Sequence, residues 1–125
     1  MSATLVSLLS LVACFAADPG SGATYRIDGK EIRFVEAEGL TVSSGCVAVA
    51  KKCSCRACEA ARSFEGVSIA SNDDRNPGAL LCRALGALSV VGLDARGNER
   101  GFCRFRDESF VSNGSLYARF KKRRR

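Results

Sequence analysis

Four cysteines crowd residues 46–58, at Cys46, Cys53, Cys55 and Cys58, and the last three fall in Cys53-Ser-Cys55-Arg-Ala-Cys58. Three kinds of chemistry suit such a set. Four thiolates match tetrahedral zinc, although common structural sites use two separated C-x-x-C knuckles and only Cys55–Cys58 has that spacing. The tighter Cys53-Ser-Cys55 spacing fits a soft ion such as copper(I). A redox reading rests on Cys55–Cys58 as a C-x-x-C at a helix start, where the helix end and Lys51, Lys52 and Arg56 would favour a thiolate. The third reading is structural disulfides, and four cysteines allow three connectivities. Which reading holds depends on the compartment.

The chain opens with Met-Ser-Ala-Thr-Leu-Val-Ser-Leu-Leu-Ser-Leu-Val-Ala-Cys-Phe-Ala-Ala-Asp and has no charge before Asp18. An apolar run of about a dozen residues matches the h-region of a secretory signal and is too short for a membrane span. A buried core helix is the alternative. Leu11-Val12-Ala13-Cys14 is similar to a bacterial lipobox, with residues 1–13 as the signal peptide and Cys14 as the lipidated N-terminus. The positive n-region usual in such signals is missing. Cleavage after Ala16 would instead give a soluble secreted protein. Setting Cys14 aside leaves six of the seven cysteines, Cys82 and Cys103 completing the set. An even number in an exported chain argues for disulfides, which suit a domain of this size. The expectation is therefore a stapled protein of the periplasm or outer membrane, attached to the membrane through its N-terminal lipid, without a cofactor. Metal at Cys46, Cys53, Cys55 and Cys58 is the alternative.

The formal charge of +6 suggests nucleic acid, but Lys121-Lys122-Arg123-Arg124-Arg125 supplies five of those charges. Such a run can hold anionic lipid; its simpler reading is a solvated basic tail over residues 121–125. No interleaved aromatics or nucleic-acid motif accompany it, so no nucleic-acid partner is expected. The chain contains no His, which removes Ser-His-Asp and Cys-His nucleophiles. The acidic pairs Asp73–Asp74, Glu36–Glu38 and Asp107–Glu108 read as solvated turn residues. No catalytic residue is assigned, apart from the redox alternative at Cys55 and Cys58.

The elements that must position these cysteines read as follows. After a linker over residues 14–23, Asp28-Gly29 sits between two β-rich runs and predicts a hairpin whose apolar face carries Tyr25, Ile27, Ile32 and Phe34. Val47, Ala50, Ser54, Ala57, Ala61 and Phe64 recur at helical spacing and predict an Ala/Cys-rich helix that covers that face, beginning at Val47 or only near Lys51. Residues 24–69 form a cysteine-rich N-terminal lobe, and the polar stretch 70–78 a boundary. Asn76 then caps a short helix with Pro77 at its first position and Gly86 at its end. A second hairpin turns at residues 95–98, with Cys103 on its returning strand. A Cys82–Cys103 bond would tie helix to hairpin. Asn113-Gly-Ser115 reads as a turn, a glycosylation acceptor being moot in a bacterial lipoprotein.

Asn76-Pro-Gly-Ala-Leu-Leu-Cys82, Leu85 to Phe110 and Ser115-Leu-Tyr-Ala-Arg-Phe120 together resemble a small bacterial envelope domain of unknown function that carries a haemolysin label. The matching positions are Asn76, Pro77, Cys82, Gly86, Gly101, Cys103, Asp107 and Ser109, within residues 76–120. The family's second Gly is Ala87 here, and its Trp is absent. The resemblance implies an envelope protein, in many members a lipoprotein, with no established activity. The longest apolar stretch of the mature chain is interrupted by Arg83, which argues against lysis by insertion. The combined expectation is an α+β fold, a small disulfide-stabilised domain with an N-terminal hairpin and Ala/Cys-rich helix followed by a short helix packed on a β-hairpin. Its expected role is non-enzymatic binding or structure, with an unidentified envelope partner.

Overall fold

The computed structural model describes residues 23–47, 52–69 and 76–124. The signal, the lipobox and Cys14 lie outside these residues, as do Asp73, Asp74 and most of the proposed boundary.

Turn chemistry sets the first half. Asp28 and Gly29 both take positive φ, 51° and 76°, the twist that a two-residue hairpin loop needs. They join β1 (Thr24–Ile27) to β2 (Lys30–Ala37), with Tyr25 opposite Ile32. Glu38 and Gly39 repeat the device at 53° and 77° and add β3 (Leu40–Ser43), a strand that the sequence reading did not assign. In the second half β4 (Leu88–Leu93) and β5 (Glu99–Arg104) form the expected hairpin, and β6 (Phe110–Ser112) returns beside β5.

These strands form a closed antiparallel barrel in the order β1-β2-β3-β6-β5-β4. The two halves meet at two seams, with Arg26 opposite Leu93 and Val42 opposite Val111. The α+β arrangement of hairpin, covering helix and helix-on-hairpin is therefore incorrect. The physical reason lies in the apolar faces. Tyr25, Ile27 and Phe34 from one half meet Phe102 and Phe110 from the other inside the barrel, so the strands cover one another and need no helix on that side. Phe34 stacks on Phe102 with ring centroids 4.4 Å apart, and Tyr25 meets Phe102 edge-on at 5.0 Å. Closure also removes exposed sheet edges. Gly92 makes room for this core, since a Cβ there would lie 2.7 Å from the Phe102 ring.

Among the described residues three α-helices pack on the outer face, around Val42, Leu81, Val111, Leu116 and Phe120. The Ala/Cys-rich helix is shorter than expected. Among the described residues of that stretch only α1 (Arg56–Arg62) is α-helical, because Val47 pairs with Cys53 in a β-bridge and Ser54 donates its N–H to the Cys46 carbonyl at 2.9 Å. Helix α2 (Pro77–Ala84) matches expectation: the Asn76 Oδ1 accepts from the Ala79 N–H at 3.1 Å, and Gly86 takes φ 80° just beyond its end. Helix α3 (Asn113–Arg123) replaces both the turn expected at Asn113-Gly-Ser115 and most of the basic tail. Ser112 caps it by accepting from the Ser115 N–H. Lys121, Lys122 and Arg123 form its last turn, where cations complement the helix dipole, and the Lys121 ammonium lies 4.9 Å from the Tyr117 ring centroid.

Candidate functional site

The cysteine cluster is built where β3 leaves the barrel. Ser44–Cys46 form a 3-10 turn, and the chain returns past Cys53 into α1. Glu38, at the β2–β3 turn, accepts from the Cys53 N–H at 3.3 Å and from Arg62 Nη2 at 3.2 Å, while Arg62 also donates to the Cys53 carbonyl. The return strand is thus held to both the barrel and the end of α1.

The start of α1 has no cap of its own, because Cys55 stands at the N-cap and makes no side-chain hydrogen bond there. Its free N–H groups are met from the β5–β6 loop. Arg56 N–H donates to Asp107 Oδ2 at 2.8 Å, and Ala57 N–H donates to Ser109 Oγ at 3.0 Å. Ser109 in turn donates both its hydroxyl and its N–H to Asp107 Oδ1. Partial burial opposes ionisation of Asp107, but the hydrogen bonds from Ser109 and Arg56 outweigh it and hold its pKa below the usual aspartate value. Ser109 entered the sequence reading only as a match to a family, and Asp107 as such a match and as half of an acidic pair read as solvated, whereas its carboxylate accepts from Arg56 and Ser109. Their work here is to fasten α1 to the barrel, and a Cys at an N-cap was the signal that α1 needed acceptors from elsewhere.

The sulfurs pair as Cys46–Cys55 and Cys53–Cys58, with Cα atoms 4.8 and 5.6 Å apart. These are ordinary disulfide spans. Cys55 Sγ also lies 3.3 Å from Cys58 Sγ, so the two bridges adjoin. Cys46, Cys53 and Cys58 are buried, whereas Cys55 is partly exposed. Ser43 Oγ stands 3.4 Å from Cys46 Sγ. A cleft of about 400 Å³ reaches the Cys46–Cys55 bridge between Arg33, Ser43, Asp107 and Ser109. Ligand atoms of Cys46, Cys55 and Cys58 lie within 4.8 Å of one another, so the reduced cluster could supply thiolates to a soft metal.

Cys82 on α2 pairs with Cys103 on β5, as expected, with Cα atoms 5.2 Å apart and both side chains fully buried. The remaining acidic pairs separate. Glu36 accepts from Thr41 Oγ1, Glu38 belongs to the cysteine loop, and Glu108 points away from Asp107 to form a double hydrogen bond with Arg104 at 3.0 and 2.7 Å. Arg104 also faces Asp28 and closes one end of the barrel. At the other end Arg100 donates to Tyr25, Thr41 and Ser112 hydroxyls. Comparison with known proteins finds no matching family model, no matching curated protein and no matching solved structure.

Proposed function

We propose that this chain is an exported, non-enzymatic binding or structural module of the bacterial envelope, lipid-anchored at Cys14 and stapled by disulfides. The observation that carries this reading is that Cys46, Cys53, Cys55, Cys58, Cys82 and Cys103 all stand in disulfide pairs, two within the loop that leads from β3 into α1 and one joining α2 to β5. Such use of cysteine belongs to an oxidising compartment. The resemblance of residues 76–120 to envelope lipoproteins supports the same location. The barrel interior is occupied by its own aromatic rings, so a partner would be met on the outer surface.

A second reading is favoured by the closeness of the sulfurs of Cys46, Cys55 and Cys58, which with Cys53 would hold zinc or copper(I) as a thiolate cluster once reduced. One experiment separates the two. Protein isolated from its native envelope is alkylated without reduction, weighed intact and assayed for metal. Three disulfides and no metal support the stapled module; free thiols at the cluster with stoichiometric zinc or copper support the second reading instead. The anchor is tested separately. Cys14→Ser should move the protein out of the membrane fraction and remove the acyl mass, and a mature N-terminus at Ala17 would overturn lipidation.

A further inference from the structure

We propose that Cys55 is the exchange-active sulfur of a thiol–disulfide relay, whose substrate is a dithiol and whose second bridge moves from Cys53–Cys58 to Cys55–Cys58. This goes beyond stapling, because it gives one of the staples a reaction. Three observations converge on it. Among the four clustered cysteines Cys55 alone is partly exposed, and its bridge to Cys46 borders the cleft beneath Arg33. Ser43 Oγ, 3.4 Å from Cys46 Sγ, can donate a hydrogen bond to the sulfur that leaves when Cys55 is attacked. Cys55 Sγ already lies 3.3 Å from Cys58 Sγ.

The chemistry balances as follows. A thiolate of the dithiol attacks Cys55 Sγ, forms a mixed disulfide and expels Cys46 as thiolate, which takes up a proton. The second thiol of the dithiol attacks its own bound sulfur and departs as a cyclic disulfide, two electrons oxidised. Cys55 is left as a thiolate. It attacks Cys58 Sγ, the Cys53–Cys58 bond breaks, and Cys53 leaves as a thiol after protonation. The product holds one disulfide, Cys55–Cys58, and thiols at Cys46 and Cys53. The backbone survives the exchange, since the Val47–Cys53 bridge, the Ser54–Cys46 hydrogen bond and the Glu38–Arg62 clamp on Cys53 depend on neither sulfur bond.

The test uses the folded full chain, titrated with dithiothreitol, quenched in acid, labelled with N-ethylmaleimide and mapped by tryptic peptides. Lys51, Lys52, Arg56 and Arg62 divide Cys46, the Cys53–Cys55 pair and Cys58 among separate peptides, and fragmentation assigns the label within Cys-Ser-Cys-Arg. The two-thiol intermediate should carry label on Cys46 and Cys53, with Cys55 bound to Cys58. Label on Cys46 and Cys55, label on Cys53 and Cys58, or loss of both bridges together would overturn the relay. Cys46→Ser offers an independent check without reductant. Its odd thiol should reside on Cys53, and an odd thiol that stays on Cys55 would equally overturn the relay.

Discussion

Asp107 does for α1 what an N-cap side chain does for other helices, but from a distant loop. Replacing it with Asn keeps the shape and removes the charge. At pH 7 this should lower stability by about 1 kcal/mol, the net worth of the hydrogen bond lost when an amide NH2 replaces one of the two acceptor oxygens, read from urea denaturation midpoints. The pH dependence has a definite sign. Because the folded pKa lies below that of the unfolded chain, the carboxylate's stabilisation is complete above the ordinary aspartate value of about 4 and disappears as pH falls through the lower folded value. Wild-type and Asp107→Asn stabilities should therefore differ at neutral pH and converge in acid. The carboxyls of Asp94 and Glu108 are also held low, by hydrogen bonds from Asn98 and Arg104 respectively, but both titrate in each protein and cancel in the difference. A gap that stays constant from pH 7 down to pH 2 would show that Asp107 acts without its charge. Ser109 is buried in the same network, so Ser109→Ala should cost about 1–3 kcal/mol through the unpaired Ala57 N–H.

Elements with a local signal were legible. Asp28-Gly29, Asn76-Pro77 and Gly86 each fix their own backbone through residues next to them, and the hairpin and α2 appear where those residues put them. Elements that depend on distant partners were not. Strand β3 and strand β6 are only Leu-Thr-Val-Ser and Phe-Val-Ser, too short to show a period; β3 follows a Glu-Gly turn, a weaker signal than Asp-Gly, and β6 exists because it finds β5 and β3 in the barrel. The Ala-rich pattern overstated α1 among the described residues, because Val47 and Cys53 pair with each other in a β-bridge and Cys55 stands at the helix N-cap. At this scale the Cys82–Cys103 bond is the covalent link between α2 and β5. Its sequence separation of 21 residues makes it worth about 3 kcal/mol by loop-closure entropy. The double variant Cys82→Ala, Cys103→Ala should show that loss in a denaturation curve while retaining the far-ultraviolet dichroism of the wild type. Gly92→Ala probes β4 from within the barrel: overpacking against Phe102, Ile27 and Tyr25 should cost about 1–3 kcal/mol. Gly45→Ala, which meets nothing within 4 Å, is the control and should stay within about 0.5 kcal/mol of wild type.

Over the whole molecule, the feature hidden from the sequence was that the segments read as two lobes share one interior. The first hairpin announced an apolar face, yet nothing announced that its cover was the second hairpin, because the seams join residues as far apart as Arg26 and Leu93. The cluster itself was partly legible: the cysteines and their aptness for disulfides were plain, but the choice among three connectivities waited on where β3 and α1 place Cys46 and Cys55. The shared interior makes a strong prediction. Residues 24–69 alone would expose Tyr25, Ile27 and Phe34, and residues 76–124 alone would expose Phe102 and Phe110, each half also carrying an open strand edge at both seams. Neither half should fold by itself, and the intact chain should unfold in a single cooperative transition with coincident dichroism and tyrosine fluorescence curves. Amide exchange should place β2 and β5, which have neighbours on both sides away from the seams, among the last segments to open. If residues 76–124 gave a dispersed, cooperatively melting spectrum on their own, the aromatic core would not be what joins the halves, and the barrel would be two independent units in contact.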